Sequence, residues 1–166
     1  GGNPFFLVEL ARFEGDDLPA SILDAVTARF SRAGATEQIL RTAAVLGPEL
    51  DLDLLSGVLQ QSAVHVLGHL EEGQRLMILD ERGTAFVFRH ELLRDALMAG
   101  VGASRRALVH REAARLLAGR PGNDPLLVAT HARQGGDVEL AAAALIEAAA
   151  VASSRFDHAE AEHLLD

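Results

Sequence analysis

The fold is indicated most clearly by residues 86–97, Phe86-Val87-Phe88-Arg89-His90-Glu91-Leu92-Leu93-Arg94-Asp95-Ala96-Leu97. Phe86 and Phe88 lie on the same side of a predicted strand, because side chains alternate between the two faces of a sheet. Leu93 and Leu97 lie one turn apart on a predicted helix. The strand therefore passes into the helix at His90, beside backbone N–H groups that the start of a helix leaves unpaired. Such a junction is a favourable place for a phosphate oxygen.

Three short helices and a hairpin are predicted around this stretch. The helices cover residues 36–47, 51–59 and 62–73, and the first and third of them end at a glycine. The residues predicted to cap their N-termini are Thr36, Asp51 or Asp53, and Ser62. Residues 76–80 and 85–89 flank Glu81-Arg82-Gly83-Thr84, which is typical of a β-hairpin with glycine in its turn. Three helices followed by a hairpin are the order of a winged helix.

The rest of the chain is predicted to be almost wholly helical. Downstream helices cover residues 90–99, 104–118, 124–134 and 137–152, with a last one from residue 157, and glycine-containing turns separate the first four. Two more helices are predicted upstream, at residues 4–13 and from residue 18 to near residue 34. Antiparallel helical hairpins joined by short turns are the unit of an α-solenoid. We therefore predict a mostly α protein, with a winged helix followed by an α-solenoid-like region.

Composition excludes several classes of function. The net charge of −9 argues against a large phosphate-binding surface, so we expect no direct contact with nucleic acid. The absence of cysteine excludes disulfides and thiolate metal sites, and we predict a cytoplasmic location. The most apolar run, residues 141–152, contains Glu147 and is too short to span a bilayer, so no membrane contact is expected. Both methionines are internal, and we expect a piece of a longer polypeptide.

Two motifs resemble those of a known group of nucleotide switches. The segment around Arg89-His90-Glu91 resembles the "MHD" motif that closes the winged-helix domain of STAND signal-transduction NTPases. The segment Gly2-Asn3-Pro4-Phe5 resembles the GxP-type motif at the end of the helical domain that follows their NTPase core. Together the motifs are similar to those of large bacterial transcription regulators that carry a C-terminal LuxR-type DNA-binding domain.

The resemblance implies a nucleotide site shared with another part of the same polypeptide. It assigns to His90 a contact with the β-phosphate of ADP and to Pro4 an approach to the adenine ring. Residues 1–17 would end the NTPase-associated helical domain, residues 18–100 form the winged helix, and residues 101–166 begin a truncated TPR-like helical domain. The implied partners are the NTPase core and an inducer or protein that binds the helical region. Glu91 departs from the motif's aspartate, and its carboxylate would cap the helix or pair with Arg94.

No catalytic residue is predicted in this chain. A phosphate-binding loop of the Walker type needs a lysine, and the chain has none, so we expect it neither to hydrolyse ATP nor to hold a cofactor by itself. The parent protein would bind ADP or ATP with magnesium. His65 and His69 stand one helical turn apart, but no His-Glu-x-x-His pattern or evident third ligand accompanies them. We therefore expect no metal site.

Two other functions remain open. The chain could be a constitutive scaffold whose winged helix and solenoid bind a partner protein. It could also read DNA through the third helix of the winged helix. The second alternative is less favoured, because that helix carries Glu71 and Glu72 and exposed carboxylates repel phosphates.

Overall fold

The computed structural model describes residues 34–83 and 85–163, with side chains up to residue 153. Within these ranges the helices are α1 Ala35–Leu46, α2 Leu52–Leu59, α3 Ala63–Arg75, α4 Glu91–Ala99, α5 Ala103–Ala118, α6 Pro125–Gln134 and α7 Val138–His163. The strands are β1 Glu49–Leu50, β2 Leu79–Arg82 and β3 Ala85–Phe88. The predicted mostly helical class with a small sheet is confirmed. The helices predicted at residues 4–13 and 18–34 lie outside the described residues.

Local capping chemistry sets where two helices begin, as predicted. Asp51 accepts a hydrogen bond of 2.8 Å from the amide of Leu54 at the start of α2. Ser62 accepts one of 3.3 Å from the amide of His65 at the start of α3. These side chains pair N–H groups that have no acceptor inside the helix.

The cap predicted for α1 is wrong. Gly34 occupies the N-cap position with a positive φ of 48°, and the helix begins at Ala35. Thr36 therefore lies inside the first turn, where it is 5% exposed. Its hydroxyl bonds the ring of His69 on α3 at 2.7 Å and is engaged away from the helix end.

The three strands form one antiparallel sheet in the order β1-β3-β2. The predicted hairpin is present, and Gly83 provides the positive φ of 64° in its turn. Strand β2 begins at Leu79 instead of residue 76, because α3 runs on to Arg75 and Met77 takes a positive φ of 64°. Strand β1 was not predicted. Its two residues pair with Val87 and Phe86, a contact that local sequence pattern does not encode.

The first core lies where α1, α2, α3 and α4 meet the sheet. It contains Leu40, Leu55, Val66, Leu70 and Leu79, each at most 1% exposed. Phe86 and Phe88 of β3 and Leu97 of α4 pack into the same cluster. The strand and the helix that flank His90 are therefore both anchored in this core.

Helix α6 packs against both α5 and α7. The approach of α5 and α6 is close: a Cβ at Gly135, the C-cap of α6, would lie 2.6 Å from the amide nitrogen of Arg111. Helix α7 runs without a break through residues 153–156, where the sequence predicts one. That expectation is wrong, since no glycine or proline stands between residues 138 and 163 to end the helix.

Helix α5 joins the two parts of the chain. It packs against α1 and α2 as well as against α6. Leu117 of α5 shares a cluster with Leu54 of α2 and Val128 of α6, and Val109 of α5 shares another with Val45 of α1. The predicted domain boundary at residue 100 falls at the C-cap of α4, but apolar cores cross it.

Candidate functional site

His90 lies at the junction that the sequence predicts, between the end of β3 and the start of α4. It is the N-cap residue of α4, with an extended backbone at φ −139° and ψ 138°, and its side chain makes no capping hydrogen bond. Its carbonyl accepts the amide of Leu93 at 3.1 Å. The side chain is exposed. The ring is therefore open to a ligand and stands at the positive end of a nine-residue helix.

The residue before His90 holds the junction onto the hairpin. Arg89 donates from Nε to both carboxylate oxygens of Asp80 on β2, at 3.0 and 3.2 Å, and its Nη2 forms an ion pair with the same group. The hydrogen bond from Arg89 lowers the pKa of Asp80 below its ordinary value, and the charges of Arg82 and His90 contribute less. The arginine that replaces the motif's methionine thus has a structural partner.

Two more arginines fix α4 against α1. Arg94 donates from Nε to the carbonyl of Ala44 at 2.9 Å. Arg41 donates to the carbonyl of Gly100 at 2.7 Å and pairs with Glu37 at 2.6 Å. Arg94 is therefore directed towards α1. Glu91 is an exposed residue in the first turn of α4, where the helix dipole stabilises a negatively charged carboxylate.

Pro4, the other residue assigned to the nucleotide, lies outside the described residues. The structure therefore describes one half of the predicted pair and gives no distance between them. The residue of that pair that is described, His90, has an accessible imidazole. Its backbone is held in place by β3, α4 and the contacts of Arg89, Arg94 and Arg41.

A second histidine pair was missed by the sequence analysis. His110 of α5 and His131 of α6 are 21 residues apart, yet their Nδ1 atoms lie 2.9 Å from each other. Burial lowers the pKa of His110 to about 4, with help from the neighbouring His131 and Arg106, and burial also lowers the pKa of His131. The signal available in the sequence was weak, since only the helical-hairpin register brings the two rings together.

The surface between α3 and the hairpin carries two carboxylates and one arginine. An open cavity of about 570 Å³ between α3 and the hairpin is lined by residues that include Glu71, Glu81 and Arg75. Arg75 is already paired with Glu72 at 2.7 Å. This surface offers a phosphate backbone little uncompensated positive charge.

Within the described residues, no group of three or more histidine and acidic side chains is arranged to hold a metal ion. In the same part of the chain, no helix combines the length and the apolar character needed to cross a bilayer.

No family model matches this chain. No solved structure gives a significant match either. A protein of uncharacterised function from Rhizobium meliloti (strain 1021) is 26% identical over 194 residues, and the match covers 100% of this chain and 19% of that protein. The chain thus spans about a fifth of the length of the relative that it matches.

Proposed function

We propose that this chain is a regulatory part of an ATP/ADP-controlled signalling switch, in the parent protein a transcription regulator of the STAND type. The winged helix senses the nucleotide through His90 and couples it to a TPR-like helical sensor. The observation that carries the proposal is an exposed imidazole at the exit of β3 and the N-terminus of α4. Cationic or neutral, an imidazole N–H there donates a hydrogen bond to a phosphate oxygen beside the helix dipole.

The arrangement of elements supports a winged helix within residues 34–99. Three helices precede a two-stranded hairpin, and β1 adds a third strand next to β3. Helices α5, α6 and α7 follow with turns at Gly119 to Gly122 and at Gly135-Gly136, which is the pattern of stacked helical hairpins.

The proposal requires a physical connection between the nucleotide site and the sensor. Helix α5 supplies one, because it packs on α1 and α2 on one side and on α6 on the other. Asp51, the N-cap of α2, also forms an ion pair with Arg120 just beyond α5. A change in the position of the winged helix would shift the helical region through these contacts.

The test is an ADP titration of the full-length parent protein. Removing a hydrogen bond to a charged phosphate costs about 1.5–3 kcal/mol, so His90→Ala should weaken ADP binding by about 10-fold to 100-fold. Arg133→Gln, an exposed substitution on α6, serves as the control and should leave the affinity unchanged. Equal ADP affinity in His90→Ala and wild type would contradict the sensing role. A Walker-type loop upstream in the reading frame would support the switch, and its absence would favour the scaffold.

A constitutive protein-binding scaffold is the second candidate, and exposed apolar side chains favour it. Leu126 of α6 is 58% exposed, and Leu145 and Ile146 of α7 are 53% and 72% exposed. Apolar surface of this kind marks many protein interfaces. This function would be favoured over the switch if His90→Ala had the ADP affinity of the wild type and if the affinity for the partner protein were the same with and without nucleotide.

A further inference from the structure

An open surface depression lies where α3 meets the start of α1. Its volume is about 650 Å³, and its lining includes Thr36, His65, His69, Glu72 and Arg75. Arg75 is neutralised by its ion pair with Glu72, so the depression does not present a free positive charge that would repel a cation. The two histidines lie at positions i and i+4 of α3, on one face of the helix.

The geometry of the two rings matches the demands of a metal ion. The Nε2 atoms of His65 and His69 lie 3.3 Å apart, with the rings at an interplanar angle of 82°. Two nitrogens bound to one tetrahedral zinc at about 2.0–2.1 Å lie roughly 3.3–3.4 Å from each other. In the metal-free chain this separation is a hydrogen bond between the two rings, and it is also the separation that two ligands of a single divalent ion adopt.

The other side of the His69 ring has the partner that a metal ligand needs. Its Nδ1 lies 2.7 Å from the hydroxyl oxygen of Thr36, which is 5% exposed and fixed inside the first turn of α1. When Nε2 binds a metal, the ring proton is on Nδ1 and is donated to that oxygen. Such outer contacts hold the tautomer and the orientation of metal-binding histidines.

We propose that His65 and His69 form a two-histidine clip for a divalent transition-metal ion, Cu²⁺ or Zn²⁺, with Thr36 as the positioning residue of His69. Imidazole is a preferred ligand of both ions. Because no third histidine or acidic ligand is arranged with them in the described part of the chain, water or another exogenous ligand completes the coordination. The bound ion joins two successive turns of α3, and Thr36 of α1 holds one of its two ligands in place, independently of any nucleotide.

The test is calorimetric titration of the 166-residue chain with CuSO₄ and with ZnCl₂ at about pH 7.5. We expect one site per chain that binds Cu²⁺ more tightly than Zn²⁺. His65→Gln and His69→Gln should each weaken that site by at least about tenfold. Thr36→Val should weaken it by about tenfold, as removal of an outer contact does.

Spacing provides the matched control. The double variant Val64→His/His65→Gln keeps the number of histidines but separates them by five residues, about 140° apart around the helix, so it should lose the site. Val64→Gln keeps the clip and changes a residue that is 82% exposed, so it should bind like the wild type. Circular dichroism of each metal-free variant reports whether it is folded. The proposal is overturned if folded His65→Gln and His69→Gln bind as tightly as wild type, or if the double variant does.

Discussion

At the scale of single residues, the junction is held by Arg89 and Asp80. Their side chains are 26% and 39% exposed, so water screens part of the attraction even though the contact involves both carboxylate oxygens. We predict that Arg89→Ala lowers the free energy of unfolding by about 0.5–1 kcal/mol, measured by urea denaturation. Arg82→Ala on the same hairpin is the control and should change it less, because Arg82 acts on Asp80 only through longer-range charge.

The same pair has a defined dependence on pH. The pKa of Asp80 in the folded chain is lowered below its ordinary value of 3.8. The contribution of the ion pair to the free energy of unfolding is therefore complete above about pH 3.8, and it is lost as the pH falls through the pKa of Asp80 in the folded chain. The stability difference between wild type and Arg89→Ala should therefore shrink in acid. A difference that stays constant down to the lowest pH at which the chain is folded would contradict this assignment.

Residue-scale prediction from sequence succeeded where the chemistry is local and failed where it is not. Asp51 and Ser62 cap their helices because a cap needs only a backbone three residues away. Thr36 was assigned the same role, but its hydroxyl is taken by His69, 33 residues later in the chain. The placement of His90 between strand and helix was predicted correctly, since two local periodicities meet there.

Among the contacts between elements, the one between α5 and α6 includes the His110–His131 pair, and burial lowers the pKa of both imidazoles. His110 has a pKa of about 4 in the folded chain, against an ordinary value of 6.5. The unfolded chain therefore takes up the proton first, and stability should be complete above about pH 6.5 and fall towards pH 4. Because His110 is only half-buried, we predict a loss on the order of 1–2 kcal/mol, smaller than full burial would give.

Substitution isolates this effect from the other titrating groups. His110→Gln keeps a polar group opposite His131 but cannot be protonated, so its free energy of unfolding should vary less between pH 6.5 and pH 4 than that of wild type. Chemical denaturation at several pH values provides the comparison. Parallel pH profiles for the two proteins would show that the pair is not responsible.

The elements themselves were mostly predictable, and two of the errors have separate causes. Strand β1 exists because Glu49 and Leu50 pair with β3, a contact between residues about 37 positions apart. Helix α7 continues through residues 153–156 although the run is polar, because polarity alone does not end a helix. Tertiary pairing therefore outweighed the local pattern at β1, and the absence of a helix breaker outweighed it in α7.

In the described molecule as a whole, α5 connects the part that contains the sheet to helices α6 and α7. Leu117 is 6% exposed and packs with side chains of α2, α6 and α7. We predict that Leu117→Ala lowers the free energy of unfolding by about 2–4 kcal/mol, the range for removing a large buried side chain. Because the cores are shared, both parts should lose stability in a single thermal transition.

Leu108→Ala is the matched control for this prediction. It removes the same side chain from the same helix, but Leu108 is 54% exposed, so the transition should shift little. Two separate transitions in wild type, only one of them sensitive to Leu117→Ala, would contradict the connection through α5.

We propose that His90 contacts the diphosphate of a nucleotide held by another part of the parent polypeptide. The most direct measurement is the distance between the His90 ring and the nearest phosphate oxygen in a structure of the full-length protein bound to ADP. We expect a hydrogen bond of about 2.7–3.2 Å from a ring nitrogen to a β-phosphate oxygen. A bound ADP whose phosphates lie beyond hydrogen-bond reach of that ring, with its path to His90 filled by protein, would contradict the claim.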